Sequence, residues 1–241
     1  MKRRKTSERQ LISLEYALKR LLRNKANYEV LEGFLSELLR NNVSVKKIGK
    51  SESSKEHAAD MYDKVDILVK DESNEVMLIE LLFTQRIDYL LRMTCGTGET
   101  ITKRMLQGKE HMNVQKIYLI NIVYSDLEQG NDYVYHGKTL FTGLHDNDEL
   151  SLSRSQCEIF GKRAADICLE YYLLKVNNFN DKTKDRLDEW IYYLKHNTIK
   201  EKFKAKGLDK AREVLDINNL TPKEQKAFDE MLRLRSEKLS R

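Results

Sequence analysis

Two carboxylates stand alone in otherwise apolar stretches of this 241-residue chain. Asp66 interrupts Val65-Asp66-Ile67-Leu68-Val69, and Glu80 interrupts Val76-Met77-Leu78-Ile79-Glu80-Leu81-Leu82-Phe83. Burying an unpaired charge among apolar side chains is expensive, so each acid demands an explanation. The polar run Lys70-Asp71-Glu72-Ser73-Asn74-Glu75 between the stretches has turn composition, so the pair is expected to form an antiparallel hairpin buried on both faces. With the turn centred on Ser73, Asp66 lies directly opposite Glu80 and Lys64 opposite Leu82. Directly opposed residues share a face, with Cβ atoms about 5 Å apart. Two carboxylates that close repel unless a proton or a cation sits between them. A hard divalent ion with oxygen ligands, Mg²⁺ or Mn²⁺, answers that repulsion. It would also lower the pKa of a bound water and polarise a phosphodiester oxygen. The competing explanation is structural: each acid forms a salt bridge with a nearby base such as Lys64 or Arg92. Spacing leaves both open.

The elements that must position these acids are legible in the periodicity. Leu11, Leu14, Leu18, Leu21 and Leu22 mark one helical face over 8–23, and Tyr28, Leu31, Phe34, Leu35, Leu38 and Leu39 mark another over 27–40. Val43, Val45 and Ile48 suggest a short strand, followed by a polar loop. A helical pattern over 85–107 is weakened by Gly96 and Gly98. Ile117–Tyr124 reads as a buried strand, and 131–141 as an edge hairpin turning near His136-Gly137. Residues 158–174 fit strand or helix. An amphipathic helix over 183–196 carries Trp190, and a Lys/Glu-rich helical tail is broken at Thr221-Pro222, where Thr221 can cap and Pro222 can start a new helix. The order is α-β-β-β-α-β followed by helices. The expected division is a basic helical segment over 1–26, an α/β domain over 27–197 and a helical tail over 198–241.

Charge is uneven along the chain. Residues 1–50 carry 13 basic and 5 acidic side chains, residues 51–150 carry 10 and 18, and residues 151–241 carry 20 and 15. An acidic middle between basic ends suits a cation held centrally and a polyanion held by the flanks, although such drift is also common by chance. No apolar run approaches the length of a spanning helix, and the Lys-Arg-rich start lacks the apolar stretch of a secretory signal. Three dispersed cysteines argue against a disulfide framework or a cysteine zinc site and suit a reducing cytoplasm. The five histidines have no ligand spacing, and Cys95 is read as a packed thiol. No glycine-rich phosphate loop is present, because Gly96-Thr97-Gly98 follows no strand.

With these residues in order, the chain resembles the PD-(D/E)XK nuclease superfamily, and more closely the PD-(D/E)XK nuclease-family transposases, or Rpn-type recombination-promoting nucleases. Val65-Asp66-Ile67-Leu68 matches the group's first strand motif, and Ile79-Glu80-Leu81-Leu82 matches the second in part. Arg92 follows Glu80 by twelve residues, and Gly108–Met112 leads into the apolar strand at Lys116–Ile122. Lys175–Phe179 and Trp190–Lys195 resemble the closing strand and a Trp-bearing helix. The resemblance implies a restriction-endonuclease-like αβββαβ core with a mixed central sheet and a helical C-terminal region. It further implies Mg²⁺-dependent DNA hydrolysis, with the metal held by Asp66, Glu80 and the backbone carbonyl of Leu81. The sequence departs from the group where a Lys or Gln should follow the Glu by two positions: Leu82 stands there and cannot stabilise a pentacovalent phosphate. Lys64, opposite Leu82, is the candidate to supply the missing charge. Arg86, Arg92, Lys103 and Arg104 are candidate DNA-phosphate contacts. A homodimer suits double-strand cutting. The alternative is a catalytically degenerate relative that binds DNA or protein.

Overall fold

A computed structural model describes residues 10–20, 24–49, 63–84, 114–125, 130–160 and 169–239. The described residues form two compact units. One comprises the segment up to Val43 together with Val176 onward, and the other comprises Ser44–Lys175.

The second unit is built on a mixed six-stranded sheet. Its strands are β1 (Val43–Ile48), β2 (Asp63–Asp71), β3 (Val76–Thr84), β4 (Val114–Val123), β5 (Val134–Lys138) and β6 (Glu170–Lys175), in the spatial order β1-β2-β3-β4-β6-β5. β2 and β3 are antiparallel, β4 runs parallel to both β3 and β6, and β5 closes the edge antiparallel to β6. This is the expected α/β class with a mixed central sheet. The β2–β3 turn forms because Asp71 Oδ1 accepts the Glu75 amide at 2.9 Å and Asn74 takes the left-handed conformation (φ 61°). Asn tolerates that conformation better than most residues, and an Asp side chain closes such turns on its own backbone.

Burial separates the two faces of β2. Val65, Ile67 and Val69 are buried, while Asp66, Leu68 and Lys70 alternate with them as half-buried residues. β3 is buried almost throughout, from Met77 to Leu81. The hairpin is therefore sealed on both faces only along β3. On β2 the Asp66 face stays partly open.

Several expectations change in this unit. Residues 131–141 do not form a hairpin: His136 and Gly137 lie inside β5, which pairs with β6 from more than thirty residues later. In the ambiguous stretch 158–174 the described residues form the end of a helix, α3 (Arg154–Phe160), and most of strand β6, and 161–168 lie outside the described residues. β6 ends at Lys175, and Val176–Asn178, read as part of a closing strand, form a 3₁₀ turn. The helix expected over 85–107 lies outside the described residues.

The other unit is helical: α1 (Leu14–Arg20), α2 (Tyr28–Leu39), α4 (Arg186–His196), α5 (Leu208–Val214) and α6 (Pro222–Leu239). Helix α1 starts later than the leucine spacing suggests, because Leu11 and Ile12 are extended. Their amides donate to the Asn197 and Leu215 carbonyls at 2.8 and 2.9 Å. Trp190 is fully buried on α4, tilted against Phe34 of α2 with ring centroids 5.6 Å apart. Its indole N–H donates to the Lys206 carbonyl at 3.1 Å. Helix α2 can approach that loop only through Gly33, where an added Cβ would overlap the Lys206 carbonyl and sit 2.7 Å from Gly207 Cα. The Thr221 cap forms as a reciprocal box: the Thr221 amide donates to Glu224 Oε2 at 3.0 Å and the Glu224 amide to Thr221 Oγ1 at 3.3 Å.

Candidate metal-binding face of the sheet

The register of β2 and β3 sets Asp66 directly opposite Glu80 and Lys64 opposite Leu82. This is the alignment expected from the turn position alone. The two acids therefore emerge from one face of adjacent strands, with Cβ atoms about 5 Å apart. Glu80 is 5% exposed and Asp66 is half-buried, so the pair sits at the boundary between the packed sheet and its open side. Leu68 and Leu78 flank the acids on that face at the next pair of positions, and Leu119 of β4 pairs with Glu80. These apolar neighbours lower the local dielectric and strengthen any charge interaction at the acids.

The end of β1 seats Asp66. The Gly49 amide donates to the Asp66 carbonyl at 2.6 Å. A Cβ at Gly49 would stand 3.1 Å from Asp66 Cβ, closer than side chains normally pack, so glycine permits this approach. Two backbones thus fix the Asp66 position, β3 on one side and the β1 end on the other.

The donor chemistry fits a hard divalent ion: two carboxylates from neighbouring strands, with the Leu81 carbonyl next along the chain from Glu80. Among the described residues no group of three or more His, Cys, Asp and Glu side chains converges. Among them, such an ion would rest on two acids plus backbone and water oxygens, as magnesium commonly does. The Leu81 side chain is buried on the opposite face, so only its main chain is available. The side chain of Lys64 lies outside the described residues, as do Arg86, Arg92, Lys103 and Arg104.

One residue of this face was not singled out from the sequence. Asn121 of β4 pairs with Leu82 of β3 and is 2% exposed. Its Oδ1 is buried and accepts no hydrogen bond among the described residues. The signal was available: Asn121 interrupts Ile117-Tyr118-Leu119-Ile120-Asn121-Ile122-Val123 just as the two acids interrupt their strands. A neutral amide attracts less notice because an isolated Asn costs far less to bury than an isolated charge.

The opposite face carries a second polar cluster with a different character. Glu170 of β6 accepts from Lys116 Nζ of β4 at 2.8 Å and lies 2.6 Å from His136 Nε2 of β5. The His136 ring stacks on Tyr172 at 4.4 Å. Burial pulls the Glu170 carboxyl upward, but hydrogen bonds from Lys116 and His136 and the charges of Lys116 and Lys138 outweigh it. The net pKa lies below the ordinary glutamate value. Each oxygen of this acid already has a base, so the cluster is a satisfied structural network. Among the described residues the histidines join no metal-like grouping: His136 binds Glu170 and His196 binds Asp181 at 2.8 Å. Tyr192 and Tyr193 are buried, in keeping with a core role, and Cys157 is exposed.

No helix among the described residues is long and apolar enough to cross a membrane. No curated protein and no solved structure matches the chain. The family model described as PD-(D/E)XK nuclease family transposase matches residues 13–240 of the 241, spanning both units and the Asp66–Glu80 hairpin, and the chain belongs to that family.

Proposed function

We propose that this protein is a Mg²⁺-dependent DNA endonuclease acting in the cytoplasm, with Asp66, Glu80 and the Leu81 carbonyl holding the ion. The observation that carries the proposal is the direct opposition of two acids in apolar strands of a chain from this nuclease family. A divalent ion bound there supplies a water of lowered pKa and positive charge beside a phosphodiester oxygen. Asp66 and Glu80 would hold the ion at the partly open Asp66 face of β2. In the hydrolysis, the water oxygen bonds to phosphorus and the bond to one sugar oxygen breaks. The water's proton passes to solvent, and the departing sugar oxygen takes up a proton. Lys64, opposite Leu82 in the backbone register, is proposed to neutralise charge on the phosphate. Arg86, Arg92, Lys103 and Arg104 are proposed to hold flanking phosphates, and a homodimer would present two such sites for double-strand cutting.

Leu82 favours a second reading, in which the chain retains the fold and binds DNA or protein without cleaving. Nicking of supercoiled plasmid in Mg²⁺ separates the two. The endonuclease reading expects wild-type nicking that Glu80→Ala and chelation both abolish. Equal nicking by wild type and Glu80→Ala would contradict it, and no nicking by either would leave the binding module.

A further inference from the structure

We infer that Asn121 orients the attacking water, occupying the place beside Leu82 where a polar side chain is otherwise missing; this rests on the nuclease reading and deepens it.

Three observations converge. The first is placement. β3 and β4 are parallel with Glu80 paired to Leu119 and Leu82 paired to Asn121. Registered neighbours share a face, so Asn121 lies on the face of Glu80 and, through the β2–β3 register, of Asp66. It is one strand across and two residues along from Glu80, a Cα separation of about 8 Å from ordinary strand spacings. Two side chains with one water between them span such a gap. The second is the unspent acceptor. Asn121 is 2% exposed, yet its Oδ1 accepts no hydrogen bond among the described residues. A buried acceptor without a donor costs stability, and leucine, of similar size, would fill the position without that cost. The third is the neighbour. Leu82 cannot bond to the amide, so nothing at the paired position competes for it.

The chemistry follows from an amide being neutral. Asn121 adds no charge, so it cannot do what a lysine does for the phosphate. Its Oδ1 can accept a hydrogen from a water held near Glu80. That fixes one O–H bond and leaves a lone pair of the water free to face phosphorus. Orientation of this kind acts on the turnover step rather than on DNA binding.

Asn121→Leu is the test, read by plasmid nicking and by thermal melting without metal. The expected result is a fall in kcat of tenfold or more, KM for DNA within twofold of wild type, and a Tm above wild type. Leu82→Gln added to Asn121→Leu should recover most of the lost rate, because it returns an amide to the same level of the sheet on the adjacent strand. Asn121→Ala serves if the leucine variant does not fold, with the same loss of kcat expected. Wild-type rates in Asn121→Leu, while Glu80→Ala is inactive, would overturn the assignment and leave the nuclease reading standing. A Tm below wild type in a folded Asn121→Leu would also overturn it, since the amide would then be bonded within the protein. Inactive wild type would remove the nuclease reading and this inference together.

Discussion

Among the described side chains of strand β4 two are polar and buried, Lys116 near one end and Asn121 near the other, and the sheet treats them oppositely. Lys116 is 4% exposed, and its ammonium is matched by the Glu170 carboxylate at 2.8 Å. Asn121 is as deeply buried, on the other face, with an amide oxygen that accepts nothing among the described residues. Polar groups buried in a sheet are tolerated when the fold completes their bonding. The Lys116 end follows that rule, and its cluster is explained by stability alone. The Asn121 end does not follow it, and lies on the face of the opposed acids Asp66 and Glu80. Departures of this kind concentrate where a protein keeps bonding capacity for a ligand.

The largest effect expected from this contrast is at Lys116. Removing one partner from a buried pair strands the other charge, so Lys116→Ala should destabilise the protein by about 3 kcal/mol, at the low end because His136 still serves Glu170. Urea unfolding measures it, and a loss below about 1 kcal/mol would show the pair to be better hydrated than its burial implies. Substituting Asn121 with leucine should move stability the other way. The two ends of β4 would then respond with opposite signs.

A smaller effect lies in the acid limb of stability. Glu170 has a folded pKa below its ordinary value of 4.5, so the unfolded chain binds its proton first as pH falls. The stabilisation is therefore complete above that value and is lost as pH drops through the lowered folded one. Glu170→Gln should remove this dependence, so the stability gap between wild type and variant narrows as pH is taken below 4.5. A gap that stays constant down to the acid transition would mean Glu170 is not the group that titrates.

The smallest effect is expected in the helical unit. Asp181 pairs with Lys195 and His196, but its side chain is 45% exposed. Solvent screens such pairs, and Asp181→Asn should cost less than about 1 kcal/mol. A cost approaching that of Lys116→Ala would break the link drawn here between burial and the worth of an ion pair.

The sequence made the hairpin and its register legible, because a polar turn between two apolar runs fixes which residues oppose. The turn position alone pairs Asp66 with Glu80. Strand β5 was not legible in the same way. Its partner β6 lies far along the chain, and local pattern cannot reveal a non-local pairing, so Tyr133–Gly137 suggested a hairpin that the fold does not make. The start of α1 was misplaced for a related reason: Leu11 and Ile12 keep the helical spacing, yet their amides bond to the distant Asn197 and Leu215 carbonyls. Asn121 was hidden by chemistry rather than distance. A lone amide in an apolar strand raises no alarm until its depth and its missing donor are known.

The central claim is that Asp66 and Glu80 jointly hold a divalent cation, and a crystal soaked in Mn²⁺ tests it most directly by anomalous scattering. The account predicts a single anomalous peak in contact with both carboxylates, absent from Glu80→Ala crystals. Both acids bound to lysine or arginine side chains, with no peak between them, would contradict it.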